Sequence, residues 1–559
     1  MASFAVLPSA WSGGHVSRQA VRIDAGLPSA RDPLLARPRA ETSRGAAEGY
    51  NGWVAVAAAS AATLTAVSLA KGRAKSRRQG RQSTALRAVL IKPTSEKQQV
   101  AEKWFESQSA TTLVGERQFG SALAERGLTA LQDAASPARN QEPWRYTDLD
   151  ALLYDLQPSV GSSLPEDKLQ SALSALFEAD DVQQQSQDFA RLVFVDGRLC
   201  SSLSQLQEDT ATFAGAGEAL KTQSPETRER VGGFLDQLPE LDIFPSSQNA
   251  SLGCAKLAAL NQAVFEDAAC ICFGEDLRPT EERSESRVDV VFVSTGTAGA
   301  SSPRLLLDAG RNRQLQVVET HISLDQSDTS LSNGVCRVRV GEGAKVRHEF
   351  LQQKAPEARL VETLTAEVSA GGSYELRVVQ SGARSARVNV AIALLGESSS
   401  CDLTGAMIAD QKQQLDLHSV IHHSVPSCRS GQRQKNMVSG SAECIFKGSI
   451  KVDKLAQKTL SSQICRSLLL TKKSKVKVMP SLQIQADDVQ CSHGAALTQL
   501  DPEQVFYMAS RGLDGRDARR LMLIGFPEDV LQGLKETSPT GYKRVMDKLA
   551  IMAENAVDP

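Results

Sequence analysis

The feature that most constrains this fold is a stretch of about 200 residues, from about 286 to 485, with strand-like runs and almost no helical periodicity. Typical runs are Val288–Val293, Val335–Val340 and Val388–Ala393. Turns rich in small residues separate such runs, at 341–344, 370–373 and 396–400. Turns that recur about every 25–30 residues are typical of the stacked coils of a solenoid.

Two other β-containing architectures fit this stretch less well. A doubly wound α/β fold is excluded because it needs a helix between parallel strands. An antiparallel sandwich is disfavoured because tight hairpin dipeptides are few, Asn333-Gly334 being the clear one. A β-helix buries small and aliphatic side chains and needs few aromatic ones, which agrees with an aromatic content of 5%. The sequence therefore predicts a mainly β protein with a parallel β-helix core.

Helical patterns flank this core on both sides. Amphipathic segments occur at 98–107, 119–134 and 164–179, and helical patterns return after Leu500. We therefore divide the chain into a leader at 1–90, a mainly helical domain at 91–285, the β-helix at 286–490 and a helical domain at 491–559. The final helices either cap the open end of the solenoid or dock a partner.

The first 90 residues are interpreted as a targeting leader. They contain 13 Lys/Arg against 4 Asp/Glu and are rich in alanine and serine, which is typical of organellar transit peptides. A weakly apolar segment, 53–70, is either part of a removable leader or a retained anchor, and we favour the former. The leader predicts import into a plastid stroma without stable membrane association, and the acidic remainder of the chain argues against nucleic-acid binding.

Near the end of the core, Cys491 and His493 lie two residues apart. In an extended strand they share one face, where a thiolate and an imidazole could bind a soft metal or an iron–sulfur species. Two ligands do not close a metal site, so the alternative is a buried strand end. His418 and His422 also share a face, but they lie about 13 Å apart along a strand, too far for one ion.

Enzyme signatures are weak in this sequence. It contains neither a GxxxxGK[ST] phosphate loop nor a GxSxG elbow, so we predict that the chain binds no nucleotide and is not an enzyme. A β-helix carbohydrate-active enzyme remains a remote alternative. It needs clustered carboxylates, whereas the one prominent pair, Asp487-Asp488, has adjacent side chains that face opposite sides of a strand.

Several motifs resemble, in chain order, the SufB/SufD family of iron–sulfur cluster assembly scaffolds. These are Glu142–Thr147, Phe446–Ile450, Pro480–Ala495 and Leu500–Leu513, and the SufD branch is the more similar. The resemblance covers the chain from about residue 100 to its end. It implies a right-handed parallel β-helix between two helical domains, and a scaffold that works with a SufB-like subunit and the ATPase SufC. A transient iron–sulfur cluster would form at the interface shared with SufB.

The resemblance also assigns candidate residues to this interface. It places His493 there as a ligand, with Cys491 as a second candidate. Cys465 falls where SufB-type sequences carry an assembly-site cysteine, so it is either a small core residue or the mark of a SufB-like sulfur acceptor. Candidate partner contacts in the C-terminal domain are Phe506, Tyr507, Arg511 and Gly512. One departure from the family pattern is Ala496, which stands where a threonine is expected.

Overall fold

A computed structural model describes residues 121–153, 169–171, 173–174, 189–205, 252–265, 267–274, 285–296 and 299–555. The predicted leader with its apolar segment, the predicted helix at 98–107 and most of that at 164–179 lie outside the described residues. Within the described part, no helix is long and apolar enough to cross a membrane.

Two long sheets form the body of the molecule. The ten-stranded sheet contains β1 (Phe189–Val195), β2 (Arg198–Leu199), β4 (Glu285–Ser294), β7 (Gln314–Ser323), β9 (Lys345–Gln353), β11 (Ser373–Gln380), β13 (Ser400–Ala409), β15 (Arg429–Val438), β17 (Thr459–Leu469) and β19 (Val489–Gln499). The nine-stranded sheet contains β3 (Ala269–Phe273), β5 (Ala300–Ser301), β6 (Arg304–Ala309), β8 (Leu331–Val340), β10 (Arg359–Val368), β12 (Ser385–Leu394), β14 (Gln414–His423), β16 (Glu443–Val452) and β18 (Lys475–Ile484).

The register confirms a parallel β-solenoid. In the ten-stranded sheet Ser400 of β13 pairs with Ser373 of β11 and with Arg429 of β15, so one coil takes 27 to 29 residues here. The chain crosses to the other sheet between these strands and makes about seven turns. Among the described strands, only β1 and β2 pair antiparallel. The turn spacing read from the sequence therefore corresponds to one coil of the solenoid.

Alternate side chains of each strand fill the space between the two sheets. Val388, Val390 and Ile392 of β12 are fully buried in this interior. The corners are tight, and Gly371 has a φ of +63° in one of them, a conformation that side chains with a Cβ rarely adopt. Its amide donates a hydrogen bond to the carbonyl of Glu397, which joins corresponding corners of successive coils.

Three helices from the N-terminal part cover the outer face of the nine-stranded sheet. They are α1 (Ser121–Asp133), α2 (Leu149–Leu153) and α3 (Ala255–Val264). Leu152 and Leu257 from these helices pack with Leu331 and Val361 of the sheet. Part of this region was predicted to be helical but forms strands. Leu192 of β1 belongs to the solenoid core, because β1 pairs in parallel with β4. The domain boundary at residue 285 stays a prediction.

Four helices follow the last strand: α4 (Pro502–Ser510), α5 (Gly515–Gly525), α6 (Glu528–Thr537) and α7 (Pro539–Asn555). Helices α5 to α7 pack on the outer face of the ten-stranded sheet, where Leu531 and Leu549 meet Val379 and Ile408. Lys548 of α7 donates hydrogen bonds to the backbone carbonyls of Ser381, directly after β11, and of Ile408 in β13. These three helices thus cover a face of the solenoid, whereas β19 in its last coil is largely exposed.

Candidate functional site at the last coil

The predicted Cys491–His493 pair lies on β19, the terminal strand of the ten-stranded sheet. Within the described chain β19 pairs with β17 alone. The register places Cys491 opposite Ser461, His493 opposite Gln463, and Ala495 opposite Cys465. The three predicted cluster residues therefore share one sheet and one inward-pointing side, with Cys465 one coil deeper than the other two.

Exposure changes abruptly between these last two strands. Gln463 and Cys465 of β17 are completely buried. His493 occupies the equivalent inward position on β19 but is exposed, and Leu497 on the same side is 57% exposed. The reason is geometric, since no further coil lies over β19 in the described chain. The last coil therefore offers an imidazole, an apolar side chain and a free strand edge together.

The two cysteines differ in chemical state. Burial raises the pKa of the Cys465 thiol to about 12, although hydrogen bonds from Ser467 and Asn436 act in the opposite direction. Asn436 Nδ2 lies 3.5 Å from its Sγ. Burial also raises the pKa of Cys491, against a hydrogen bond with the backbone at Ser461. Because the thiolate is the form that binds metals, Cys465 is an unreactive core thiol in this conformation.

A column of polar side chains leads inward from His493. Gln463 Nε2 donates to Gln432 Oε1 at 2.6 Å, and Gln432 Nε2 donates to Ser419 Oγ at 2.6 Å. Gly448 makes room for this column, because a Cβ there would collide with the Gln463 amide. Gln463 Oε1 has no hydrogen-bond partner among the described residues. The solenoid interior in the coils that precede His493 therefore contains polar side chains that are closely packed and hydrogen-bonded to one another.

A groove of about 420 Å³ opens beside the last coil. Ala495 and Leu497 of β19 line one side, and Val476, Val478 and Met479 of β18 line the other. Tyr146 of the N-terminal motif also lines it, with Lys477 Nζ 5.5 Å from the centre of the Tyr146 ring. The groove joins the open end of the solenoid to the N-terminal motif that the sequence singled out.

The candidate partner contacts lie on α4, which follows this coil. Phe506 is 75% exposed and Tyr507 is 60% exposed, and α4 buries none of its residues. The Arg511 guanidinium lies 5.2 Å from the centre of the Tyr507 ring. Gly512 has a φ of +91°, which suits its place directly after the helix. The structure thus places Phe506 and Tyr507 on α4 and Arg511 and Gly512 in the turn that follows it, and all four residues are exposed.

The histidines of β14 do not converge on a common point. His418 lies against Arg387 on the outer face, with 3.2 Å between its Nδ1 and Arg387 Nη2. His423 points into the solenoid, where its Nε2 lies 2.9 Å from Ser430 Oγ.

The sequence analysis missed a different group, formed by inward-pointing acidic, histidine and cysteine side chains of β7 to β10. Its only sequence signal is a set of polar residues at strand positions that should be apolar.

Comparison with known proteins finds similar sequences in iron–sulfur cluster assembly. A family model described as the SUF system FeS cluster assembly, SufBD core domain, matches residues 292–526. The chain is 28% identical over 404 residues to the chloroplastic protein ABCI7 of Arabidopsis thaliana, covering 71% of this chain and 78% of that protein. It is 25% identical over 424 residues to the iron–sulfur cluster assembly protein SufD of Escherichia coli, covering 74% and 89%. It is also 26% identical over 417 residues to a SufBD family protein of Synechocystis, covering 73% and 86%.

The fold and the site define a parallel β-solenoid that is covered by helices on both faces and exposes a potential ligand on its last strand. The matched core domain and the similar proteins place this solenoid in iron–sulfur cluster assembly. Residues 292–526 of the chain therefore carry the core domain of the SufB/SufD family.

Proposed function

We propose that this chain is a SufD-type scaffold subunit, not catalytic by itself, that supports cluster assembly together with a SufB-like subunit and a SufC-type ATPase. The observation that carries the proposal is the exposure of His493 on a terminal strand whose outer edge has no partner strand among the described residues. The similar chloroplastic protein and the predicted leader support a plastid location.

The last coil has the properties of half a binding site. The edge of β19 can accept a strand from a second subunit through backbone hydrogen bonds. His493 would then act as one ligand to an iron–sulfur cluster, which is cargo and not a resident cofactor. Cys491 is half-buried two residues away, and the remaining ligands come from the SufB-like subunit. A transient cluster at a shared interface follows from a site that neither subunit completes alone.

The buried state of Cys465 separates this proposal from its closest rival. A SufB-like sulfur acceptor needs an accessible thiolate, whereas Cys465 is completely buried with a pKa of about 12. We therefore assign Cys465 a packing role and place the cluster chemistry at the outer strand.

The ligand role is tested by reconstituting the complex with SufB-like and SufC-type partners and measuring bound iron and acid-labile sulfide. We expect His493→Ala to lower both by about tenfold or more, the scale of losing a metal-binding contact. Ser492→Ala is the matched control, because Ser492 is exposed on the same strand but faces the other way. Unchanged cluster yield in a complex that still assembles would refute the ligand role.

Helix α4 is the proposed docking element for the ATPase. Large exposed aromatic residues are typical of interaction hot spots, whose removal costs about 2 kcal/mol or more. We expect Phe506→Ala to weaken binding of the ATPase by at least about 30-fold, measured by titration calorimetry. Ile551→Ala is the control, because Ile551 is 56% exposed on α7. Equal effects of the two substitutions would exclude α4 as the docking element.

A further inference from the structure

A group of potential metal ligands lies in the interior of the solenoid, far along the chain from the last coil. Each member is at most 1% exposed. The group consists of Glu319 and His321 on β7, Cys336 on β8, His348 on β9 and Glu362 on β10. It therefore joins both sheets and two successive coils.

Glu319 is the centre of this group. Its Oε1 lies 2.8 Å from His321 Nε2, and its Oε2 lies 3.0 Å from His348 Nε2. The ligand atoms of Glu319, Cys336 and His348 all lie within 4.8 Å of one another. A tetrahedral ion with bonds of about 2.0–2.3 Å needs ligand separations of about 3.3–3.7 Å. Side-chain movements of about 1 Å bring the three atoms into that range.

A second set of three, Glu319, His321 and Glu362, meets the same criterion and shares the central carboxylate. Two of its atoms, Glu362 Oε2 and His321 Nδ1, have no hydrogen-bond partner in the described part of the chain. Gly334 on the adjacent strand β8 leaves space for this carboxylate, because a Cβ there would collide with Glu362 Oε2. A buried polar atom without a partner costs free energy, so Glu362 Oε2 is available as a ligand atom for an ion bound here.

The surroundings of His348 also suit a metal ligand. Its Nδ1 lies 3.0 Å from the hydroxyl of Tyr374, so the ring is held by its second nitrogen while Nε2 faces Glu319. A hydrogen bond of this kind fixes the orientation and tautomer of histidine ligands in metal sites. The rings of Phe292 and Phe350 lie on either side of His321, with centroids 4.9 Å from it, and exclude water.

We propose that the interior of the solenoid binds one divalent transition-metal ion of the Zn²⁺ or Fe²⁺ type through Glu319, Cys336 and His348. His321 and Glu362 are the donors available to complete its coordination. Mixed nitrogen, oxygen and sulfur donors suit these ions. Burial and the nearby carboxylates raise the pKa of the free Cys336 thiol, and a coordinated metal ion lowers it. Binding therefore replaces the thiol proton of Cys336 with a metal–sulfur bond and releases that proton to solvent. Because the site is closed, the ion enters before the coils close, and it links β7, β8 and β9 as a structural element independent of the last coil.

Metal content tests the proposal on the full chain. The protein is expressed in medium supplemented with zinc or cobalt, treated with a chelator, gel-filtered and analysed by elemental mass spectrometry. We expect about one ion per chain in the wild type, and a loss of at least about tenfold in Cys336→Ser and His348→Gln. The matched controls, Cys444→Ser and His423→Gln, replace interior residues outside the cluster and should keep the ion.

Cobalt adds a spectroscopic readout that a merely structural role would not change. A cobalt-loaded wild type should show a thiolate-to-cobalt charge-transfer band, and Cys336→Ser should lose that band. The proposal is overturned if folded wild type carries less than about 0.1 ion per chain, or if the controls lose the ion as the cluster variants do. Absence of the thiolate band in cobalt-loaded wild type overturns it as well, even if both cluster variants fail to fold.

Discussion

Replacing Arg387 with methionine should detach the N-terminal motif from the solenoid. Arg387 is completely buried on the outer side of β12. Its guanidinium donates to the carbonyls of Pro143 and Leu252 at 2.7 Å each, and to Thr147 Oγ1 at 2.9 Å. The same group lies 3.8 Å from the centre of the Trp144 ring. A single cation therefore holds two segments that are distant in sequence against the sheet.

The size of the effect follows from the groups that methionine would leave behind. Arg387 Nη1 lies 3.9 Å from Asp416 Oδ2, and burial raises the pKa of Asp416 to about 7 even against this positive charge. Removal of one partner from a buried charged network costs about 3–5 kcal/mol, mainly because the other groups stay buried without it. That corresponds to an increase of about 10²- to 4 × 10³-fold in the equilibrium constant for release of the motif.

Limited proteolysis and tryptophan fluorescence measure this release. Cleavage within residues 138–153 should accelerate in proportion to the open population when reclosing is fast. The emission of Trp144, isolated by subtracting the spectrum of Trp144→Phe, should shift to the red as the ring becomes exposed. The solenoid itself should keep its strand signal in circular dichroism.

Arg433→Met is the matched control for this experiment. Arg433 makes a 3.3 Å ion pair with Asp402 on the surface, where each side chain is about half exposed. Such a pair contributes less than about 1 kcal/mol. If Arg387→Met changes cleavage within residues 138–153 no more than this control does, the motif is held by apolar packing and the reasoning is refuted.

Two pH-dependent predictions follow from other buried groups. Burial lowers the pKa of His423 to about 4, so the unfolded state binds more protons as the pH falls from about 6.5. Stability should decrease over that range, and His423→Gln should reduce the slope by up to about 1.4 kcal/mol per pH unit in acid unfolding curves. Burial lowers the pKa of Lys548 to about 8. Between pH 8 and about 10.5 the unfolded state therefore binds more protons than the folded state, so the free energy of unfolding should rise with pH over this range as well. Lys548→Met should abolish that rise in thermal melts, and an unchanged slope would contradict either assignment.

The fold was largely predictable because a solenoid repeats one physical solution. Small-residue turns must recur once per coil, and the predicted period of 25–30 residues agrees with paired positions such as Ser373, Ser400 and Arg429. The packing of the C-terminal helices was not predictable to the same degree. Their apolar stripes require a partner surface, but the stripes alone do not distinguish the face of the ten-stranded sheet from its open end.

The candidate site was also predictable from the sequence only in part. The alternation of strand residues predicts that Cys491 and His493 share a side, and the register agrees. It does not predict that His493 is exposed while Gln463, one coil earlier, is buried. That difference depends on which coil is last. The interior group around Glu319 was missed because its members lie on four strands, and only the register between strands brings them together.

The two ends of the ten-stranded sheet are built differently, and this contrast bears on the proposed pairing. At one end, the edge strand β2 has two residues and runs antiparallel to β1. At the other, β19 has eleven residues and ends the sheet with an exposed inward side that includes Leu497. Soluble proteins protect strand edges by keeping them short, charged or covered, since a long free edge invites pairing with another chain. Among the described residues this sheet therefore has a short edge at β2 and a long, apolar edge at β19 next to a potential metal ligand, which supports the proposed pairing of the last coil with a second subunit.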